Sequence, residues 1–279
     1  MATPRTQWLA LACLTAGALF PVAHAAPLCS KVVISGHPDY PPTTWYDGTR
    51  LRGGWHAIAA RVFSDLGVPY EFSYQGPWAR VLSAAQGGRI DFIGTLKINP
   101  ERQQYLTFSS VAGTPAPITV FTRRDAGLKY SGKEDLMGKL GGRTRGEGYG
   151  GEVDSFVNNW LMTEEVASFE INLKKLELGR IAYVITGYYP GTSKLALLGL
   201  EDKVVPLKPN LSEDLNHFAF VTKSPCLKHL PAFDKRLAEL LKDGTVAQLL
   251  SDGVEDWRGH TAKDGLRRFA LRHSSKCRQ

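Results

Sequence analysis

Apolar and polar positions along the chain switch repeatedly between a strand-like and a helix-like spacing. Lys31 to Ser35 is a short apolar run that predicts a strand, and Trp55 to Leu66 keeps a helical period up to Gly67. Tyr70 to Tyr74 reads as a second strand, Trp78 to Ala85 as a helix closed by Gly87-Gly88, and Ile90 to Gly94 as a third strand. This β-α-β-α-β order implies a parallel sheet with helices on both faces. Ile118 to Thr122 is a further strand leading into the charged turn Arg123-Arg124-Asp125. A second alternating unit follows, with helices over Glu152 to Met162 and Ile171 to Leu178 and a strand over Ile181 to Thr186. His217 to Thr222 is one more strand. The helices after it, Leu230 to Leu241 and Thr245 to Leu250, have their natural neighbours in the first unit. The expected architecture is α/β with two lobes, residues 26–121 plus 222–258 and residues 122–221, joined by two crossing strands near Thr122 and Val221.

The first residues follow another rule. Arg5 gives a positive start, Trp8 to Phe20 is mostly apolar, and Ala23-His24-Ala25 has the form of a cleavage site. Residues 1–25 therefore read as an export leader cut after Ala25, and the expected compartment is the periplasm. The leader run is short for a bilayer, and no later stretch approaches the roughly 18 apolar residues a span needs. Ala10 stands three positions before Cys13, where a lipidation site has leucine.

The chain of 279 residues carries a net charge of +7. The leader holds one arginine and no acid, so a mild basic excess remains, a bias toward anionic partners. Basic residues cluster only over residues 259–279, which read as a solvated tail with a short helix around Gly265 to His273. No basic stripe is interleaved with aromatics, so a nucleic-acid partner is not expected. Cys29, Cys226 and Cys277 stand outside the leader, and in an oxidising compartment they imply one disulfide and one thiol. Cys226–Cys277 is the favoured pair. No CxxC, HExxH or GxSxG occurs and the histidines are dispersed, so neither a metal, a cofactor nor an enzymatic activity is expected.

Candidate chemistry gathers in three loops. In GRIDFIGTLKINPERQQYLTFSS, Asn99 can cap a helix and Pro100 suits its first position. Arg102 then lies in the first turn, where the helix dipole opposes a cation by about 0.3–1 kcal/mol. Such a cation either pairs with Glu101 or Asp91, or holds an anion. The loop GHPDYPPTTWYDG offers Tyr40 to a small polar ligand, whereas Trp45 is read as packing on its own lobe. His37, in the same loop, either lines a cleft or is an ordinary hydrogen-bonded histidine. In RGEGYGGE, three glycines precede a helix start, a ready anion site. Gly146, Gly148 and Gly151 also spell GxGxxG, but the preceding LGGRTR makes a poor buried strand, which argues against a dinucleotide fold.

Strand, polar loop and TxKINPERxxxLTFS resemble the signature segment of the family 3 solute-binding proteins, the periplasmic polar-amino-acid-binding components of ABC importers. The likeness runs from about Lys31 to Trp257 and includes the strand entries GRIDFIG and GRIAYVI. It implies the two-lobe, type II periplasmic-binding-protein fold, a small-molecule ligand, an ABC transporter permease as partner, and a monomer. By this resemblance Arg102 holds a ligand carboxylate, Thr95 and Lys97 stand at the polar positions before it, and Tyr40 covers the ligand. Glu147, Gly148, Tyr149 and Gly150 form the loop offered by the second lobe.

Two positions depart from the family pattern. Lys97 replaces the usual Ser or Thr, and either adds a cation to the cleft or points away from it. Gly187 replaces the acid that pairs with a ligand ammonium, leaving Glu147 or Asp39 to take over that pairing. The changes shift the expectation toward an anionic ligand such as an organic acid or dicarboxylate. Two alternatives remain beside transport: an enzyme on the same fold, dehydratase- or lyase-like with Glu147 or His37 as the acid, and a free-standing ligand sensor.

Overall fold

The computed structural model describes residues 28–274, with side chains to 262. The expected leader, its cleavage site after Ala25, and Cys277 lie outside the described residues. The first lobe opens with β1 (Val32–Ser35), a hairpin sheet of β2 (Asp39–Tyr40), β3 (Thr44–Tyr46) and β4 (Leu51–Arg52), and α1 (Gly54–Asp65). It continues through β5 (Tyr70–Phe72), α2 (Trp78–Gln86), β6 (Phe92–Leu96), α3 (Pro100–Gln103) and β7 (Leu106–Phe108). The second lobe holds β8 (Ile118–Arg123), β9 (Leu140–Thr144), α4 (Gly151–Trp160), β10 (Met162–Val166) and α5 (Phe169–Glu177). It ends with β11 (Tyr183–Gly187), α6 (Tyr188–Leu198) and β12 (Val204–Pro206), after which β13 (His217–Val221), α7 (Leu230–Lys242) and α8 (Thr245–Ser274) return to the first.

Each lobe has a five-stranded sheet, in the orders β5-β1-β6-β13-β7 and β10-β9-β11-β8-β12. β1 pairs in parallel with β5 and β6, as expected, while the returning β13 is antiparallel to β6 and β7. Strand alternation sends Phe218 and Phe220 into one core with Phe63, Phe92 and Phe233. Ala219 and Val221 go to the opposite face, against Trp78 and Val81 of α2. In the second lobe Val184 packs with Phe169 and Leu173 of α5, and Tyr183 and Ile185 pack with Val153 and Val157 of α4.

β8 lies wholly in the second sheet and β13 wholly in the first, so the chain does not change lobes near Thr122 and Val221. It crosses where residues 113–116 run antiparallel to 214–216, with Gly113 N–H to Asn216 O at 3.0 Å and Ala116 N–H to Asp214 O at 3.1 Å. Residues 118–121 therefore sit with the second lobe and 217–221 with the first. Both strands are equally apolar, and the sequence pattern does not say which sheet completes them.

The disulfide is Cys29–Cys226, not Cys226–Cys277. Cys29 precedes β1, and Cys226 lies in the short turn of helix Pro225–His229 after β13, which brings their Cα atoms to 4.9 Å. LGGRTR is also a strand after all: β9 pairs in parallel with β10 and β11. Its glycines make room for neighbours. A Cβ at Gly141 would lie 2.2 Å from the Tyr183 ring, and one at Gly142 would lie 2.4 Å from Asn172 Oδ1. At the other end, the expected break between helix and tail is absent, because α8 runs on unbroken to Ser274. Gly253 of α8 meets Gly54 of α1 almost backbone to backbone, and the Trp257 ring stands edge-on to Trp45 at 5.3 Å. Those contacts hold the helix beyond the point where its apolar period fades.

Candidate functional site

β1 and β6 in one lobe, and β9 and β11 in the other, end in loops that meet across a gap, where open α/β sheets hold ligands. Four hydrogen bonds and ion pairs among the described residues bridge it. Trp78 Nε1–H and Arg102 Nη2–H both donate to Gly146 O, at 2.9 and 3.1 Å. Asn99 Nδ2–H donates to Asp154 Oδ2 at 2.9 Å, and Lys194 pairs with Asp39.

Arg102 is placed by local chemistry. Asn99 caps α3 by accepting the Arg102 N–H at 2.9 Å, and Pro100 occupies the first position, as expected. The guanidinium is 3 % exposed, lies 5.8 Å from the Trp78 ring centroid and donates Nη1–H to Lys97 O at 3.0 Å. It forms no ion pair among the described residues. Asp91 is committed to Val33 N–H and Ser224 Oγ–H at the far end of β6, and Glu101 is exposed. A buried cation held only by carbonyl oxygens is a site for an anion.

The neighbouring groups are mostly donors. Lys97 is buried and gives its ammonium to Asp214 O, so it does not point to solvent. Burial lowers its pKa to about 8, against the opposing pull of Asp214 and Glu213. Thr95 has φ +67°, a backbone conformation that costs a β-branched residue about 1–3 kcal/mol. Its hydroxyl is buried without a partner among the described residues, as are those of Ser35 and Thr144 at the ends of β1 and β9. His37 is wedged between rings, 4.8 Å from Trp78 and 5.3 Å from Tyr40. Burial, helped by Arg102 and Lys194, lowers its pKa to about 3. Its Nδ1 accepts the Asp39 N–H at 3.0 Å, which leaves the ring proton on Nε2.

Tyr40 reaches the second lobe. A Cβ at Gly187 would lie 2.1 Å from its hydroxyl. Burial and the nearby Glu147 raise its pKa. Glu147 accepts from Thr186 Oγ1–H at 3.0 Å and from Tyr149 Oη–H at 3.3 Å. Burial pushes its carboxyl up to about 7. Gly148 lets the loop backbone close on the guanidinium, since a Cβ there would lie 2.9 Å from Arg102 Nη2. Gly150 has φ +103° and caps α4. The Tyr149 ring is part of the second lobe's core and only its hydroxyl reaches toward the gap, through Glu147. The loop thus turns the Gly146 carbonyl toward Arg102.

Trp78, Asn99, Asp154, Asn216 and Lys194 belong to the same cluster and were not among the residues expected there. The helix start at Trp78 is visible in sequence. Asp154, Lys194 and Asn216 carry no local signal, because tertiary structure alone brings them to the gap. Trp45 packs on its own lobe as read. Among the described residues no group of three or more His, Cys, Asp or Glu is placed to hold a metal ion, and no helix is long and apolar enough to cross a membrane.

Solved structures share this architecture. A mutant of ArgBP from T. maritima is 20% identical, with a TM-score of 0.68, over 82% of this chain and 96% of that one. An amino acid ABC transporter substrate-binding protein, AbpA from Streptococcus pneumoniae, bound to L-arginine, is 19% identical with a TM-score of 0.68 over the same shares. A histidine kinase sensor domain with similarity to periplasmic binding proteins is 21% identical, with a TM-score of 0.68, over 80% and 96% of the two chains. A search of curated proteins finds no match. The fold is the two-lobe, type II periplasmic-binding-protein fold. Residues 32–252 match the bacterial extracellular solute-binding proteins, family 3, and the chain belongs to that family of binding proteins.

Proposed function

We propose that the protein binds a small carboxylate-bearing ligand between its lobes in the periplasm and delivers it to an ABC importer. The observation that carries this reading is Arg102, a buried guanidinium facing the opposite lobe with no acid paired to it. A carboxylate takes two parallel N–H bonds from such a group, which lysine reproduces poorly. Thr95, Lys97 and Tyr40 from the first lobe, and the loop Glu147 to Gly150 from the second, surround the bound group. The paired segments 113–116 and 214–216 act as the hinge.

Arg102→Ala abolishes binding and leaves the fold intact, checked by thermal shift against a panel of amino acids and organic acids and by circular dichroism. A ligand at about 100 times its dissociation constant adds roughly 2.7 kcal/mol to wild-type stability and nothing to the variant. Unchanged affinity in the variant removes Arg102 from the site. Ligand sensing is the second reading, supported by the likeness to a histidine kinase sensor domain. A permease gene beside this one favours transport, and a membrane kinase gene favours sensing.

A further inference from the structure

The ligand of this cleft, we infer, is an anionic organic acid without an ammonium group, with one carboxylate on Arg102 and a second acceptor on His37 Nε2–H. This rests on the carboxylate reading of Arg102 and narrows it.

Four places could hold a ligand ammonium, and each is already engaged. Asp154, beside Arg102, accepts the Tyr149 N–H at 2.7 Å on one oxygen and the Asn99 Nδ2–H at 2.9 Å on the other. At Gly187 an acidic side chain has no room, because a Cβ there would fall 2.1 Å from the Tyr40 hydroxyl and 2.7 Å from its ring carbon Cζ. The phenol fills that space. Asp39 is paired with Lys194, which Glu170 also holds at 3.2 Å. Glu147 accepts the Thr186 hydroxyl at 3.0 Å, lies 3.3 Å from a Tyr149 hydroxyl that Ile185 O shares at 3.2 Å, and is buried so that its carboxyl is pushed up to about 7, toward the neutral form. A ligand ammonium would enter beside Arg102 and Lys97, where each nearby acid already has protein partners, and a buried cation without an acid of its own is strongly disfavoured.

The groups that do await a partner are donors. His37 is 5 % exposed and its Nδ1 is occupied by the Asp39 N–H, so the ring presents Nε2–H, which has no acceptor among the described residues. The same Trp78 ring touches His37 at 4.8 Å and Arg102 at 5.8 Å, which places both donors on one small molecule's scale. Thr95 Oγ1 adds a third unpartnered polar atom on the same side. A buried donor left unmade costs more than a made bond gains, so the site favours whatever supplies the acceptor.

The test compares matched pairs that differ only in the ammonium group, glutarate with L-glutamate and succinate with L-aspartate, by isothermal titration on the purified protein. We expect each dicarboxylate to bind at least about tenfold more tightly than its amino acid partner, a gap set by the unpaired charge. His37→Phe keeps the ring stack and removes the donor. It should weaken the dicarboxylates about tenfold while leaving a monocarboxylate such as butyrate unchanged. Tighter, Arg102-dependent binding of the amino acids overturns this inference and leaves the carboxylate reading standing. If no compound in the panel binds in an Arg102-dependent way, both fall. The ligand comparison is made on the wild-type protein and does not need the variant to fold.

Discussion

Glu147 stores a pH dependence that one substitution exposes. Its carboxyl is raised from 4.5 to about 7 by burial, with Thr186, Tyr149, Asp39 and the Thr144 backbone as its neighbours. The folded protein therefore holds a proton between those values that the unfolded chain releases. Its contribution to stability is complete below pH 4.5, declines as pH rises, and is lost above pH 7. Glu147→Gln removes this dependence. Thermal melts at pH 5 and pH 8 should show the variant gaining on wild type at the higher pH, and parallel curves would contradict the burial of Glu147. At this scale much was legible: the Asn99 cap, Pro100 and Arg102 follow from neighbours along the chain. The Asp39–Lys194 pair was not, since its partners are far apart in sequence.

Helix α8 sets two element-scale effects against each other at Gly253. Replacing a helical glycine by alanine ordinarily stabilises by about 0.5–1 kcal/mol. Here the new Cβ would lie 2.5 Å from the Gly54 amide nitrogen, a backbone atom that cannot step aside. Overpacking of that kind costs about 1–3 kcal/mol and wins, so Gly253→Ala should be destabilising by urea denaturation. A more stable variant would show that the two helices separate at little cost. The same contact explains why the sequence pattern under-read this helix. Its length is set by Gly54, Trp45 and the Arg52–Asp256 ion pair, all on other elements. Likewise LGGRTR makes a poor buried strand by its pattern, yet it forms β9, and its glycines leave space for Tyr183 and Asn172. The amphipathic helices α1, α2 and α7 were read nearly to their ends because each carries its own apolar face.

At the scale of the whole molecule, the lobes are held together by few contacts, and Lys194 with Asp39 is the ionic one among those described. A partly exposed pair of this kind contributes about 1 kcal/mol, roughly a fivefold change in the ratio of closed to open molecules. Asp39→Asn should therefore raise the radius of gyration measured by solution X-ray scattering without lowering the melting temperature of either lobe. A variant as compact as wild type would place the control of closure elsewhere, at the Gly146 and Asp154 contacts.

The Gly146 carbonyl has a consequence of its own. It rests on the guanidinium that a ligand carboxylate would claim, so it acts as a tethered competitor whose local concentration is set by the angle between the lobes. Occupancy then depends on outbidding a neutral acceptor across two N–H groups together, which a spherical anion cannot do and a planar two-oxygen anion can. The cleft should be insensitive to chloride and responsive to carboxylates, a filter built from one peptide oxygen of the opposite lobe.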